Sequence, residues 1–299
     1  MTRTAARTAV RTAAGTTANT ITGATRRIAG RLAGTGAADR LALGFLVLLL
    51  AAVAAPQLLT PFDPLEASPG QTLLAPSRTH PFGTDYLGRD LLARVIHGAG
   101  QTLGASVVAV TIGLGAGSIL GLLAAYFGSW IDVAVSRLVD VLLSIPGLLL
   151  SMVVVVALGF GTLNAAIAVG IASVATFARL MRSEVLTVRN LTFVEAAHHI
   201  GARPATVLFR HVLPNSYTAV LSMTALQFGS AILWIAALSF LGYGTPPPHP
   251  EWGLLVSEGR EYIVSSPWLT LLPGLVIVLT VLSISRLSTL LRDPREVSA

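Results

Sequence analysis

Apolar residues along this 299-residue chain fall into long uncharged runs, separated by shorter polar, proline-rich or arginine-dotted segments. A helix needs about 20 residues to cross the ~30 Å of hydrocarbon in a bilayer. Residues 41–59 predict a first span, and a second lies within residues 102–127. Positions 141–178 carry no charge over 38 residues, about 57 Å as a helix and nearly two bilayers. Gly159-Phe160-Gly161-Thr162 is the natural break in that run, giving a third and a fourth span, with Pro146 kinking the third. A fifth span is expected at residues 217–241 and a sixth at 268–284. The pattern predicts an all-α integral membrane protein with six transmembrane helices.

Between the runs the segments differ in kind. Residues 1–39 are Thr, Ala, Gly and Arg without apolar periodicity, and are expected to form a disordered cytoplasmic tail. The first transmembrane helix takes residues 40–60. Residues 61–101 read as an extracytoplasmic loop containing Pro61, Pro64, Pro69, Pro76 and Pro81. Leu91, Leu92, Val95 and Ile96 stand at helical spacing near its end, predicting a short amphipathic helix on the membrane surface. Residues 102–290 hold the other five spans and a polar loop at 183–215, and a charged tail, 291–299, closes the chain.

Composition sharpens this picture. Only 11% of the residues are charged, against about 25% in a soluble domain. All twenty basic residues are arginine, and there is neither lysine nor cysteine. A phosphate-binding Walker loop needs its lysine, so ATP cannot be hydrolysed here by that route. Lysine Schiff-base chemistry, thiol nucleophiles and disulfides are excluded on the same ground. With both termini cytoplasmic, sixteen arginines fall inside and Arg78, Arg89, Arg94 and Arg260 fall outside, as the positive-inside rule requires. Trp130, Trp252 and Trp268 fall near expected interfaces, where an aromatic belt would place them.

Gly113, Gly117 and Gly121 recur every fourth residue, a smooth strip suited to close helix packing. Arg137 and Asp140, three apart, are expected to pair on one helix face at the interface. His198, His199 and His211 match no standard ligand spacing for a metal. Ion-coupled carriers place ionisable groups inside their spans, and the spans here carry none beyond the interfacial 137–140 region. No zinc-hydrolase pattern is present.

The cytoplasmic stretch from Glu195 to Pro214 holds the candidate site. Helix formers run to Ile200, Gly201 permits the positive φ that ends a helix, and Ala202-Arg203-Pro204 restarts one. The second helix is expected to end at Leu213-Pro214-Asn215. The result is a helix-turn-helix along the membrane face. In it Ala196 and Ala197 would allow close approach, and Glu195, Arg203 and Arg210 would offer charge to a partner.

Glu195-Ala196-Ala197, then Gly201 after three intervening residues, and His211-Val212-Leu213-Pro214 after nine more resemble the EAA loop of binding-protein-dependent ABC importer permeases. The stretch from His80 to Asp90 with Arg94-Val95-Ile96, Leu238 to Gly242, Pro250 to Gly253 and Ser257 to Arg260 resemble blocks of the dipeptide/oligopeptide/nickel branch, C-type subunit. The likeness covers about residues 40–295. His211 stands where the wider family has isoleucine, but Arg210 to Asn215 is similar to the peptide-transporting branch. Residues 1–39 have no family counterpart, Ser288-Thr289 stands for the customary Gly-Asp, and Pro294-Arg295 follows Arg292-Asp293 without the usual spacer.

The resemblance implies a type I ABC importer permease core in a bacterial cytoplasmic membrane, forming half of a pathway for di- or oligopeptides. It implies a B-type second permease, two ATPase subunits or one fused ATPase, and an extracytoplasmic solute-binding protein. Membrane lipid would surround the chain and nucleic acid would play no part. Coupling would run through Glu195, Ala196, Ala197, Gly201, Arg203, Leu213 and Pro214. No cofactor would be held by this chain, since ATP and Mg would sit in the ATPase.

Overall fold

A computed structural model describes residues 36–291. Most of the tail expected at 1–39, and all but the first residue of that expected at 291–299, lie outside those residues. Helix α1, Ala37–Ala54, leads into an irregular extracytoplasmic segment with two short 3-10 turns, Pro56–Leu58 and Pro69–Gln71. Helix α2, Leu91–Phe127, then runs unbroken for 37 residues, about 55 Å. Asp90 caps it, its side chain accepting from the Ala93 N–H at 2.6 Å. The surface helix expected at 91–96 to lead into the second span is therefore the first two turns of α2, with no boundary at 101–102. Nothing between Ile96 and Thr102 supplies a breaker, because Gly98 and Gly100 are tolerated within a packed helix.

The expected third span departs further. Helix α3, Ser129–Ser144, and helix α4, Gly147–Leu158, meet at 95°. Pro146 forces its predecessor out of the helical region, and Ile145 is extended at φ −89°, ψ 129°. The kink is thus a full break. Gly159 and Gly161, at φ +97° and +135°, make the next turn. Helix α5, Thr162–Arg189, helix α6, Thr192–His199, and helix α7, Pro204–Val207, follow. A π-helical turn, Leu208–Val212, joins α7 to helix α8, Leu213–Phe240. Helix α9, Trp252–Gly259, lies in the second outer loop, and helix α10, Trp268–Leu291, completes the described chain. Among the described residues five helices are long and apolar enough to cross a membrane, and a sixth span results if α3 and α4 count as one.

Helix α5 is the central element. Lipid tails are as apolar as leucine, so helices gain in a bilayer mainly by close fit. A Cβ on Gly113 would stand 2.8 Å from Ser173 Cβ, one on Gly117 2.6 Å from Phe177 Cβ and the Val174 carbonyl oxygen, and one on Gly121 2.3 Å from the Ala178 carbonyl oxygen. Gly170 of α5 answers from the other side, 2.9 Å from the Ala109 carbonyl oxygen by the same measure. Beside this seam, Val155 of α4 and Ile235 and Leu238 of α8 complete the buried core.

Two expected side-chain placements change. Asp140 pairs with Arg179 of α5 at 2.9 Å, not with Arg137 on its own helix. The α5 guanidinium reaches it directly, and Asp132 takes Arg182 in a two-pronged contact of 2.5 and 2.7 Å. Trp252 is fully buried and donates its indole N–H to the Val95 carbonyl at 2.9 Å, so it belongs to the core and not to an aromatic belt.

Gly117→Val should therefore cost about 1–3 kcal/mol or more by overpacking, whereas Gly115→Ala, where a Cβ meets nothing within 4 Å, should be neutral. Thermal aggregation of the purified membrane complex separates the two; equal stability would refute the seam.

Candidate functional site

The cytoplasmic hairpin is α6, a turn and α7. Ile200 N–H donates to the Ala196 carbonyl at 3.1 Å and Ala202 N–H to the Ala197 carbonyl at 3.1 Å, closing α6 around Gly201 at φ +80°. A Cβ at Gly201 would meet nothing within 4 Å. The glycine is required by its backbone angle, and the space beside it is open. Arg203 is extended at φ −62°, ψ 140° and precedes Pro204, which takes the tolerated first position of α7.

The hairpin does not end at Leu213-Pro214-Asn215 as the sequence suggests. Pro214 has no N–H to donate, and the chain widens into the π turn instead of stopping. The Leu213 N–H reaches back to the Leu208 carbonyl, the Asn215 side-chain amide donates to the His211 carbonyl at 2.5 Å, and Ser216 Oγ donates to the Val212 carbonyl at 3.0 Å. These bonds carry the backbone past the proline into α8 without a gap.

The seven expected coupling residues separate into two sets. Glu195, Ala196, Gly201, Arg203 and Pro214 are exposed. Ala197 is buried, and Leu213 packs from its half-buried position against the same core as Val194, Val207 and Val212. Of the two alanines only Ala196 is open to solvent, while Ala197 is buried and seats the hairpin. Beneath it lies a cavity of about 230 Å³ lined by Tyr126, Phe127, Val185, Arg189, Val194 and Val207 among others. Arg189 donates to the Ala125 carbonyl at 3.3 Å, tying the end of α5 to the end of α2. Ile200, 85% exposed, and Phe209, 64% exposed, face outward from the hairpin.

A second constellation sits at the opposite end. Asp85 Oδ2 accepts from Arg89 Nε at 2.6 Å and from Arg94 Nη1 at 2.7 Å, and the same Arg94 nitrogen donates to Glu258 Oε2 at 2.7 Å. Arg94 is 1% exposed. His80 Nδ1 stands 2.8 Å from Asp90 Oδ2. The cluster fastens the first outer loop to the head of α2 and to α9. Next to it Glu251 is fully buried, accepting from the Gly253 and Leu254 N–H groups at 3.1 and 3.0 Å as the cap of α9. Burial pushes its carboxyl above the usual carboxylate range, against the lowering pull of those N–H donors. The sequence names these residues only as parts of a family block. Their signal was available: Arg89 and Arg94 are two of only four arginines on the outer side, and they stand close to Asp85 and Asp90 in a charge-poor chain.

Residues 117–295, more than half of the chain, match the family model described as binding-protein-dependent transport system inner membrane component. The chain belongs to that family. A relative named dipeptide transport system permease protein DppC, from Alkalihalophilus pseudofirmus, is 43% identical over 245 residues, 82% of this chain and 80% of its own. Another, glutathione transport system permease protein GsiD from Pectobacterium atrosepticum, is 41% identical over 254 residues, 84% of each chain.

Among solved structures, an inward-facing MetNI methionine ABC transporter chain aligns with TM-score 0.56 at 19% identity, covering 67% of this chain and 94% of that one. An amino acid ABC transporter with histidines aligns at TM-score 0.54 and 19% identity, over 67% of this chain and 92% of that one. At that identity the likeness establishes the fold alone. This permease is a multi-pass component of the bacterial inner membrane, and its family is the transport permease, not the ATPase.

Two expectations attach to the outer end. Arg94→Met should leave Arg89, 2.6 Å from Asp85 but 3.9 Å from Glu258, as the one cation serving both carboxylates, costing up to about 3–5 kcal/mol, read as loss of stable protein in purified membranes; a variant as stable as the parent would refute the role. Glu251, its folded pKa raised, stabilises most at low pH and loses that contribution as pH climbs through the folded value. Melting temperature should accordingly fall in the parent as pH rises above the ordinary carboxylate range, and Glu251→Gln, which fixes the neutral form, should flatten that slope.

Proposed function

We propose that the chain is the C-type permease of an ATP-driven importer of di- or oligopeptides, forming half of the pathway and moved through its cytoplasmic hairpin. One observation carries the reading. Val194, Val207 and Val212 bury the inner side of α6, α7 and the π turn in the core, while Glu195, Ala196, Ile200 and Phe209 face outward. A surface held from below that presents apolar side chains beside an acid suits a contact that must carry force. The chain has no lysine for a phosphate loop, so ATP and Mg belong to partner ATPase subunits, two or one fused. A second, B-type permease supplies the other half of the pathway, and an extracytoplasmic binding protein delivers the solute.

The names of the relatives support a peptide or peptide-like cargo, since both dipeptide and glutathione carry amide bonds. In this reading, closure of the ATPase dimer moves the hairpins as rigid bodies and exchanges inward- for outward-facing states.

Gly201→Val should keep the chain in the membrane and in its complex while cutting coupled peptide uptake roughly tenfold or more, with ATP hydrolysis retained. The open space around Gly201 means that any folding defect is confined to the turn, whose φ of +80° a β-branched residue resists. Uptake in proteoliposomes containing the whole complex decides it: coupled uptake equal to the parent would overturn the assignment. The parent should co-purify with a second permease and an ATPase, and transport by this chain alone in liposomes would contradict the proposal.

A further inference from the structure

Far from the hairpin, the outer ends of α2 and α5 meet the segment after α8 around a cavity of about 570 Å³. Gln101 lies ten residues into α2, about 15 Å along its axis, and Thr162 opens α5. The wall includes Gly100, Gln101 and Gly104 from α2, Thr162 and Asn164 from α5, and Thr245. It carries no formal charge.

Its polar groups are linked and only partly used. Gln101 Nε2 donates to Thr162 Oγ1 at 3.2 Å and to Thr245 Oγ1 at 3.0 Å. The Thr162 N–H donates to Thr245 Oγ1 at 3.1 Å, and the two hydroxyls bond each other at 2.6 Å. Asn164 Nδ2 donates to the Leu158 and Gly159 carbonyls at 3.2 and 3.0 Å. Two hydroxyls own two protons, and one is spent on the bond between them. The network therefore keeps one spare O–H donor, and Gln101 keeps its Oε1 as an acceptor.

The glycines here differ from those of the α2–α5 seam. A Cβ on Gly100 or Gly104 would meet nothing within 4 Å. They widen the cavity and do not let a neighbour in.

We propose that this cavity is the substrate-contacting part of the pathway contributed by this chain, and that it takes the main-chain amide of a peptide. The spare hydroxyl donates to a peptide carbonyl, and Gln101 Oε1 accepts the adjacent N–H. An uncharged wall leaves terminal ammonium and carboxylate groups unpaired, so the site serves the unit that all peptides share, irrespective of side chain. The inference rests on the peptide-import reading above.

The absence of cysteine from the chain makes the test direct. Gly100→Cys and Gly104→Cys each introduce one thiol into open space within the assembled transporter. A charged, membrane-impermeant methanethiosulfonate is applied from outside, and its adduct is read on this chain by mass spectrometry. Both thiols should be modified, and a dipeptide at about ten times its apparent Kd should slow the modification about tenfold by occupancy. Thiols left unmodified, being covered by another helix, would overturn the proposal, and so would modification that the dipeptide does not slow. Either result alongside normal peptide import by the parent complex spares the import reading. Failure of the parent complex to import any peptide sinks both.

Discussion

Helices α2 and α5 touch backbone to backbone, and the rest of the molecule depends on that contact. A methyl group at Gly117 or Gly121 would fall inside the neighbouring helix. Hydrocarbon solvent gives apolar side chains little reason to leave it, so approach at this distance replaces the drive that burial supplies in water. The seam also sets geometry at both ends. Toward the cytoplasm it brings Phe127 and Arg189 beneath the hairpin; toward the outside it brings Gln101 within reach of Thr162. The hairpin and the outer cavity are thus attached to one rigid pair.

Charge serves a different purpose. At the outer end it is buried where the irregular loop meets α2 and α9. Asp85, Arg89, Arg94 and Glu258 secure a loop of more than thirty residues that has only two short 3-10 turns of its own. Such a cluster gains little over an apolar one of equal shape, but breaking it leaves bare charge behind. It therefore fixes which arrangement the loop adopts more than it adds stability.

How much of this was legible follows the physics. Span positions were, because hydrocarbon imposes length and composition on any helix that crosses it. The glycine strip could be read from its period, and the hairpin from Gly201 and Pro204. The break at Pro146 was underestimated, since sequence locates a proline but not the angle that neighbours let it adopt. Continuity of α2 through residues 96–102 was missed because polarity there reflects contacts with the outer loop and not an end of the helix. Trp252 and the α2–α5–Thr245 network could not be foreseen, since their partners lie 157, 61 and 144 residues away along the chain. Asp140 shows the same limit on a small scale: the nearer arginine in sequence lost to one 39 residues on.

The π turn at Leu208–Val212 has a meaning for how this chain can change over evolutionary time. It holds one residue more than an α-helical turn would need, and each residue of an α-helix advances the side chains by about 100°. Deleting a single position there would close the turn to α geometry and leave the hairpin and α8 facing as they do, because a π turn spans about the same rotation with one residue more. The same deletion inside the α-helical part of α8 would turn Glu195 and Ile200 about 100° relative to the rest of that helix. Length is forgiving in this one turn, where a spare residue is absorbed, and strict in the helix that follows it.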